Sequence, residues 1–292
     1  MIKPEWLRKP VRWGKAALAT RSEINEKSLN TVCSEARCPN IGECFSAGVA
    51  TFMILGEECT RDCGFCSVKQ GTKLTLPNPD EPSHVAETAE KLKLSHVVIT
   101  SVTRDDLHDG GAGHFALTIK AVRARLPKTS IEVLTPDFHQ RKNAIGTIID
   151  AMPNVFNHNV ETVPRLYSKV RPSAKYQRSL ALLELVKRKS ERILTKSGLM
   201  LGFGETVSEV EQVMHDLAQA NVDILTLGQY LRPTLKNIEV EEYVRPEVFD
   251  RLREKGLDLG FKHVFSGPFV RSSYHAKEVF NTAGALLART SA

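Results

Sequence analysis

All six cysteines of the chain fall in one short window, as Cys33, Cys38 and Cys44 and then Cys59, Cys63 and Cys66, and the rest of its 292 residues carry no thiol. Two triplets at ligand spacing point to two metal centres. The second, Cys59-Thr60-Arg61-Asp62-Cys63-Gly64-Phe65-Cys66, brings three thiolates within reach of one iron–sulfur cluster. Three is one too few for a cubane of four irons. The remaining iron is open to an outside ligand, and an amino acid offering an amine and a carboxylate can chelate it. The competing readings of this triplet are a zinc knuckle or a disulfide frame.

The first triplet has the spacing C-x4-C-x5-C and also lacks a fourth cysteine. A closed second cluster therefore needs an oxygen, a nitrogen or a small molecule. Arg271-Ser272-Ser273-Tyr274 offers two hydroxyls beside a guanidinium, whose charge favours the alkoxide form of a ligating serine. The plain alternative for that string is a loop with a helix N-cap.

Several strings together carry a family resemblance. They are the first triplet, then Ala50-Thr51-Phe52-Met53-Ile54-Leu55-Gly56 leading into the second, and Gly267-Pro268-x-Val270-Arg271-Ser272-Ser273-Tyr274-His275-Ala276 near the end. Between them stand Thr100-Ser101-Val102-x-Arg104-Asp105-Asp106-x-x-Asp109-Gly110-Gly111, Asn157-His158-Asn159-Val160-Glu161-Thr162, Thr195-Lys196-Ser197-Gly198-x-Met200-x-Gly202-x-Gly204-Glu205 and Gly228-Gln229-Tyr230-Leu231-x-Pro233. From about Pro4 to Ala276 the chain resembles the lipoyl synthases, a family of radical S-adenosylmethionine (SAM) enzymes. The second triplet with Phe65 before its last cysteine is the general radical SAM pattern, whereas the double triplet with the terminal Arg-Ser-Ser-Tyr is specific to the family.

The resemblance implies two [4Fe-4S] clusters and SAM as cofactors. Cys59, Cys63 and Cys66 would hold the cluster whose electron, passed to the sulfonium, releases a 5′-deoxyadenosyl radical. Cys33, Cys38 and Cys44 would hold an auxiliary cluster, with Ser272 as its fourth ligand because the family's ligating serine directly follows the arginine. The implied reaction inserts two sulfur atoms, drawn from the auxiliary cluster, at C6 and C8 of an octanoyl chain carried on a lysine. Such unactivated C–H bonds resist acid–base and nucleophilic attack, so the cofactor must supply a radical. The implied partners are octanoylated lipoyl-domain proteins, namely dehydrogenase-complex E2 subunits and the glycine-cleavage H protein. A reductant such as ferredoxin or flavodoxin and an iron–sulfur assembly or repair protein complete the set. Two rival readings are another radical SAM enzyme with an auxiliary cluster and a non-catalytic zinc protein that binds a partner.

Polar residues at strand ends suit the cofactor. Asp105 and Asp106 could pair with the SAM ammonium, the neighbouring glycines allowing close backbone approach. Asn159, Glu161 and Glu205 could hydrogen-bond its ribose or methionyl part. His158 reads equally as a core residue, and Lys196, Arg171 and Tyr176 as surface or packing residues. One position departs from the family: where a histidine is common, this chain has Asn237, which cannot titrate near neutral pH. That departure opens an altered activity or partner preference.

The elements that must position these residues show in the periodicity. Strand-like runs at Thr51–Leu55, His96–Thr100, Ile131–Leu134, Val155–Val160, Ile193–Leu201, Val222–Leu227 and Phe261–Phe265 alternate with helix-period segments. Examples of the latter are Ser83–Leu94, Ala112–Leu126, Gln177–Lys189 and Thr206–Gln219. Repeated βα units imply an α/β fold with parallel strands and right-handed crossovers. About six units suit a partial (β/α)6 TIM-type barrel, the radical SAM fold, with sites at the C-terminal strand ends. Residues 1–48 are then an N-terminal extension with the first triplet, 49–259 the barrel, and 260–292 a closing segment that returns Ser272. Pro77-Asn78-Pro79-Asp80-Glu81-Pro82 reads as a loop opening the first helix.

Composition, at 41% hydrophobic and 25% charged residues, is that of an ordinary soluble globular protein. No apolar run approaches the roughly 18 residues of a membrane span, so none is expected. The N-terminus carries Lys3, Arg8, Lys9, Arg12 and Lys15, but also Glu5 and no apolar signal core. A reducing, cytoplasmic compartment is expected, since cysteines packed at ligand spacing are not a disulfide scaffold. The net charge of +6 suits an acidic protein partner. Nucleic acid is not expected, because the basic residues are dispersed and no binding motif is present.

Overall fold

The computed structural model describes residues 2–10, 13–47, 49–71 and 74–290. Met1, Arg12, Gly48 and Ala292, which enter the expectations above, lie outside them. The chain forms two compact units. One comprises Pro10–Asp62 and Ser67–Asn154, the other Met1–Lys9, Cys63–Cys66 and Val155–Ala292. Cys59 thus belongs to the first unit, Cys63 and Cys66 to the second.

In the first unit the strands are β1 (Asn30–Thr31), β2 (Thr51–Ile54), β3 (Glu58–Cys59), β4 (Lys69–Gln70), β5 (His96–Ser101) and β6 (Ser130–Leu134). Its helices are α1 (Lys15–Glu26), α2 (Val32–Glu35), α3 (Ile41–Ser46), α4 (Glu81–Lys91), α5 (Ala112–Arg125) and α6 (Lys142–Asp150). β2, β5 and β6 run parallel in that order, and β1 joins β2 antiparallel. Every residue of β2 is buried, as expected for a parallel strand covered on both faces, and this explains its unbroken apolar run. α4 begins at Glu81, two residues before the expected Ser83. Pro82, in the first turn, has no N–H to lose there and brings its φ preset for a helix. α1 lies against α3: Thr20 Oγ1 donates to the Phe45 carbonyl at 2.8 Å, and Trp13 meets the Phe45 ring edge-on at 6.2 Å.

The second unit contains β7 (Val155–Asn157), β8 (Leu194–Leu201), β9 (Ile224–Gln229) and β10 (His263–Ser266), all parallel in that order. Its helices are α7 (Tyr167–Val170), α8 (Tyr176–Lys189), α9 (Val207–Gln219), α10 (Pro246–Asp258) and α11 (Ala276–Thr290). α9 starts on a capping box, in which Thr206 Oγ1 accepts from the Glu209 N–H and the Glu209 carboxylate accepts from the Thr206 N–H. Val279 and Ala283 of α11 pack on Val155, Leu194 and Ile224, closing the N-terminal ends of three strands with apolar side chains. Regular β7 is shorter than the expected Val155–Val160. Beyond Asn157 the chain leaves the ladder and meets β8 again at a single bridge, Glu161 to Leu199. That irregular stretch carries Asn159 and Glu161.

Candidate functional site

The first triplet is built on two short helices. Thr31 caps α2 through Oγ1, which accepts from the Ser34 N–H, and Cys33 lies inside that helix. The Cys38 N–H returns to the Cys33 carbonyl at 3.0 Å, across Arg37 in the left-handed region at φ 48°. Cys44 stands on α3, and its carbonyl accepts from Val49 N–H at 2.8 Å. Burial pushes the Cys33 thiol up to about 11, with the Cys38 charge adding to the rise and hydrogen bonds from Thr51 opposing it.

The loop after β2 carries Cys59. Leu55 at φ 72° and Gly56 at φ 97° turn the chain out of the strand, and the buried Glu81 carboxylate accepts the Leu55 N–H at 2.8 Å. The backbone N–H groups of Thr103 and Arg61 point at Cys59 Sγ from 3.3 and 3.4 Å. Two oriented donors fix the position of the sulfur at the strand end. Next to it, Arg61 is only 6% exposed and grips Asp105 in bidentate fashion at 2.8 and 3.0 Å, with Asp137 at 2.6 Å. Burial alone would lower the Arg61 pKa, but the two carboxylates hold it raised. His139 Nε2 also approaches Asp105, at 3.0 Å.

Arg104 does the same for Asp106, through Nε at 2.9 Å and Nη2 at 2.8 Å, while also donating to the Leu55 and Thr75 carbonyls. Asp109 accepts the Gly111 and Gly113 N–H groups at 2.8 and 2.7 Å and so fastens the start of α5. The carboxylates of the acidic loop thus fix the strand end by arginine pairs and backbone caps. Asp105 and Asp106, expected to meet a ligand ammonium, are both engaged by guanidinium groups.

In the second unit, three predicted residues come together. Ser272 Oγ donates to Asn159 Oδ1 at 2.7 Å, and Asn159 Nδ2 donates to Glu161 Oε1 at 3.1 Å. Asn157 Nδ2 approaches the same hydroxyl at 3.5 Å. Gly198 lies beneath them, where an added Cβ would stand 3.1 Å from Asn159 Oδ1 and 3.4 Å from Ser272 Oγ. Burial raises the Glu161 carboxyl, against the opposing Arg171 charge and the Asn159 hydrogen bond. Glu161 also holds φ 65°, an uncommon value for a residue with a side chain. Arg171 is buried and donates through Nη1 to the Asn159 and Val160 carbonyls, so it clamps backbone.

Glu205 stands apart from this group. Its carboxylate accepts from the Gly202 and Phe203 N–H groups at 2.5 and 2.9 Å, closing the turn after β8, and burial raises its pKa against those bonds. His158 is a core residue, its Nε2 within 2.9 Å of Ser179 Oγ. Tyr176 packs through its hydroxyl onto Asp216 at 2.7 Å, and Lys196 is fully buried. Arg271 turns Nη1 onto the Val270 carbonyl at 2.6 Å. Sequence reasoning assigned nothing to Gln229, whose buried amide donates to the Leu201, Tyr230 and Glu242 carbonyls at 3.0 Å each. The Gly-Gln-Tyr-Leu string was its only signal.

The donor set fits two clusters. None of the six cysteines is in a disulfide, and each triplet supplies three thiols. Among the described residues, no three His, Cys, Asp or Glu side chains gather tightly enough for a single metal ion. Among those residues, too, no helix is long and apolar enough to cross a membrane.

Comparison with known proteins agrees with this chemistry. The family model for the radical SAM superfamily matches residues 53–217. Lipoyl synthase of Caldanaerobacter subterraneus subsp. tengcongensis is 56% identical over 274 residues, covering 94% of this chain and 95% of that protein. The lipoyl synthases of Trichlorobacter lovleyi and Rubrobacter xylanophilus are 54% and 52% identical, covering 94% and 98% of this chain and 97% and 90% of theirs. Among solved structures, methylornithine synthase (PylB) superposes with a TM-score of 0.56 at 12% identity, over 80% of both chains. Streptococcus suis SuiB bound to S-adenosylmethionine superposes with a TM-score of 0.55 at 10% identity, over 75% of this chain and 50% of its own. These likenesses show the fold, the α/β partial barrel of the radical SAM kind. With near-full-length identity above one half to three curated relatives, the chain belongs to the lipoyl synthase family of radical SAM enzymes.

Proposed function

We propose that this enzyme inserts two sulfur atoms at C6 and C8 of protein-bound octanoyl-lysine, with the two cysteine triplets dividing the work. Cys59, Cys63 and Cys66 would hold the cluster that binds SAM, and Cys33, Cys38, Cys44 and Ser272 would hold the auxiliary cluster that supplies sulfur. The observation that carries this reading is the pair of disulfide-free triplets in a chain 56% identical to a lipoyl synthase. When bound, the clusters and SAM supply one-electron cleavage, a hydrogen-abstracting radical and sulfide, none of which side chains can provide.

The chain's own residues prepare that chemistry. The Thr103 and Arg61 amides hold the Cys59 sulfur in place by two hydrogen bonds. Asp105 and Asp106 serve the SAM side through the strand-end loop they fix with Arg61 and Arg104, and Glu205 through the turn it closes. Asn159 and Glu161 are the polar groups offered for the ribose or methionyl part, and Asn159 also orients Ser272. Ser272 would offer the auxiliary cluster a hard oxygen ligand beside three soft thiolates, a weaker attachment than a fourth cysteine. Residues 1–48, 49–259 and 260–292 act as auxiliary-cluster extension, barrel and closing segment.

The substrates are octanoylated E2 lipoyl domains and the glycine-cleavage H protein, and the +6 net charge supports docking of an acidic domain. Ferredoxin or flavodoxin supplies electrons, and an iron–sulfur assembly protein restores the spent cluster. Thiols kept out of disulfides agree with a reducing, cytoplasmic setting. The test is anaerobic turnover of reconstituted protein with SAM, a strong reductant and an octanoyl-lysine peptide. Gain of two sulfurs with about two 5′-deoxyadenosines per product is expected from one cleavage per hydrogen removed. Deoxyadenosine without sulfur gain would reject the sulfur-donor role, and zinc without labile sulfide would reject the clusters.

A further inference from the structure

Asn237 lies in the turn 234–237 between β9 and α10. Its amide faces the turn that carries two of the proposed cluster ligands. Nδ2 donates to the Gly64 carbonyl at 3.2 Å and to the Cys66 carbonyl at 2.8 Å. The amide cannot be turned over without loss, because Oδ1 accepts the Thr234 hydroxyl at 2.7 Å and would otherwise face two carbonyl oxygens. The backbone continues the grip, with Ile238 N–H donating to the Gly64 carbonyl at 3.0 Å.

The loop that presents Asn237 is itself braced. Arg232 donates through Nε to the Asn237 carbonyl at 2.8 Å and pairs through Nη1 with Glu239 at 3.1 Å. Tyr230 donates its hydroxyl to the Ile238 carbonyl at 2.8 Å, and Tyr230 is buried and stacked on Phe203 at 4.3 Å. On the other side, Gly64 N–H donates to the Val170 carbonyl at 3.0 Å, and Cys66 N–H to the Cys63 carbonyl at 3.0 Å. The fit is close: a Cβ on Gly64 would stand 2.4 Å from Ile238 Cδ1 and 3.2 Å from the Lys169 carbonyl.

We propose that Asn237 is a positioning residue that locks the Cys63–Cys66 turn, donating both amide hydrogens to that turn's carbonyls and thereby setting how the two thiolates are presented to their cluster. Its place in the cluster site rests on the functional reading above, but the lock itself does not. The asparagine does a structural job for which a titrating group is unnecessary. Thr234 orients it, and the Tyr230–Phe203 stack ties the loop to the core of its unit.

Two measurements separate these parts. In the metal-free full-length chain, hydrogen exchange is followed at the Gly64, Cys66 and Ile238 amides in the wild type and in Asn237→Ala, Asn237→His and Thr234→Val. Loss of two hydrogen bonds in Asn237→Ala should speed exchange at these amides by about tenfold or more. Asn237→His, which keeps one N–H donor, should recover part of the protection, and Thr234→Val should lose part of it. Unchanged exchange in Asn237→Ala would overturn the lock.

In the reconstituted protein, the paramagnetic resonance spectrum of the reduced cluster with SAM should change shape in Asn237→Ala and return toward the wild type in Asn237→His. Faster exchange with an unaltered spectrum would overturn the positioning role. A wild-type protein with no SAM-dependent spectrum would instead sink the cluster assignment, leaving the exchange result to decide the lock.

Discussion

The Ser272 hydroxyl donates a hydrogen bond to Asn159 Oδ1 across 2.7 Å, joining residues 113 positions apart in sequence. The hydroxyl of the Arg-Ser-Ser-Tyr string is thereby brought to the irregular stretch after β7, beside Glu161. If Ser272 is the fourth auxiliary ligand, Ser272→Ala leaves that cluster three thiolates and one open iron, and its paramagnetic resonance spectrum should change. SAM cleavage should persist while sulfur insertion stops. An unchanged spectrum with wild-type sulfur insertion would move the ligand elsewhere.

The two triplets should be separable by function. Alanine at Cys59, Cys63 or Cys66 should abolish formation of 5′-deoxyadenosine. Alanine at Cys33, Cys38 or Cys44 should leave it measurable and remove only the sulfur-bearing product. Peptide mass and nucleoside yield read both, and a first-triplet variant unable to cleave SAM would contradict the division.

The backbone of the closing segment passes Gly228 of β9 so closely that a Cβ there would stand 2.1 Å from the Val270 carbonyl oxygen and 3.2 Å from Arg271 Nη1. Neither backbone can yield cheaply. Gly228→Ala should destabilise the protein by about 1–3 kcal/mol through overpacking and shift Ser272 with the displaced segment. Denaturant unfolding with iron analysis would show both effects, and a stable variant with full iron would disprove the close approach.

Arg61 is a buried cation with two carboxylate partners, and removing it takes the cation from the fully buried Asp137. Arg61→Met should cost about 3–5 kcal/mol, the range for breaking a buried pair by removing one partner. Arg61→Lys keeps the charge but loses the fork that meets Asp105 at two points, and should fall between. Urea midpoints at matched slope would measure the order.

Acid should weaken the second unit through Asp223, which is 4% exposed. Burial works against its ionisation, but hydrogen bonds from Lys187 at 2.5 Å, Lys262 at 2.7 Å and the Thr195 N–H at 2.8 Å outweigh it and hold the carboxyl below its ordinary value. A carboxyl lowered on folding adds stability above its unfolded pKa, and this is lost as pH falls through the folded one. As pH falls below about 4, wild type should lose more stability than Asp223→Asn, which lacks the titrating group. Parallel pH profiles for the two proteins would refute this linkage.

What the sequence determined by itself was chemistry and element order. Six thiols in two triplets, with no other cysteine, carry the cluster reading, because ligand spacing is a local property of the chain. The alternation of buried apolar runs with helix-period segments placed seven strands within two or three residues of the observed ones, since burial of parallel strands writes itself into composition. Tertiary structure decided which polar groups are available and which are already engaged. Asp105, Asp106 and Glu205 look alike as candidates in the sequence, but Arg61, Arg104 and two backbone N–H groups hold them. Asn237 looked like a lost histidine, and its contact with Gly64 and Cys66 spans more than 170 positions. Hydrogen bonds of that kind depend on where distant backbone carbonyls come to lie, which neither periodicity nor spacing encodes.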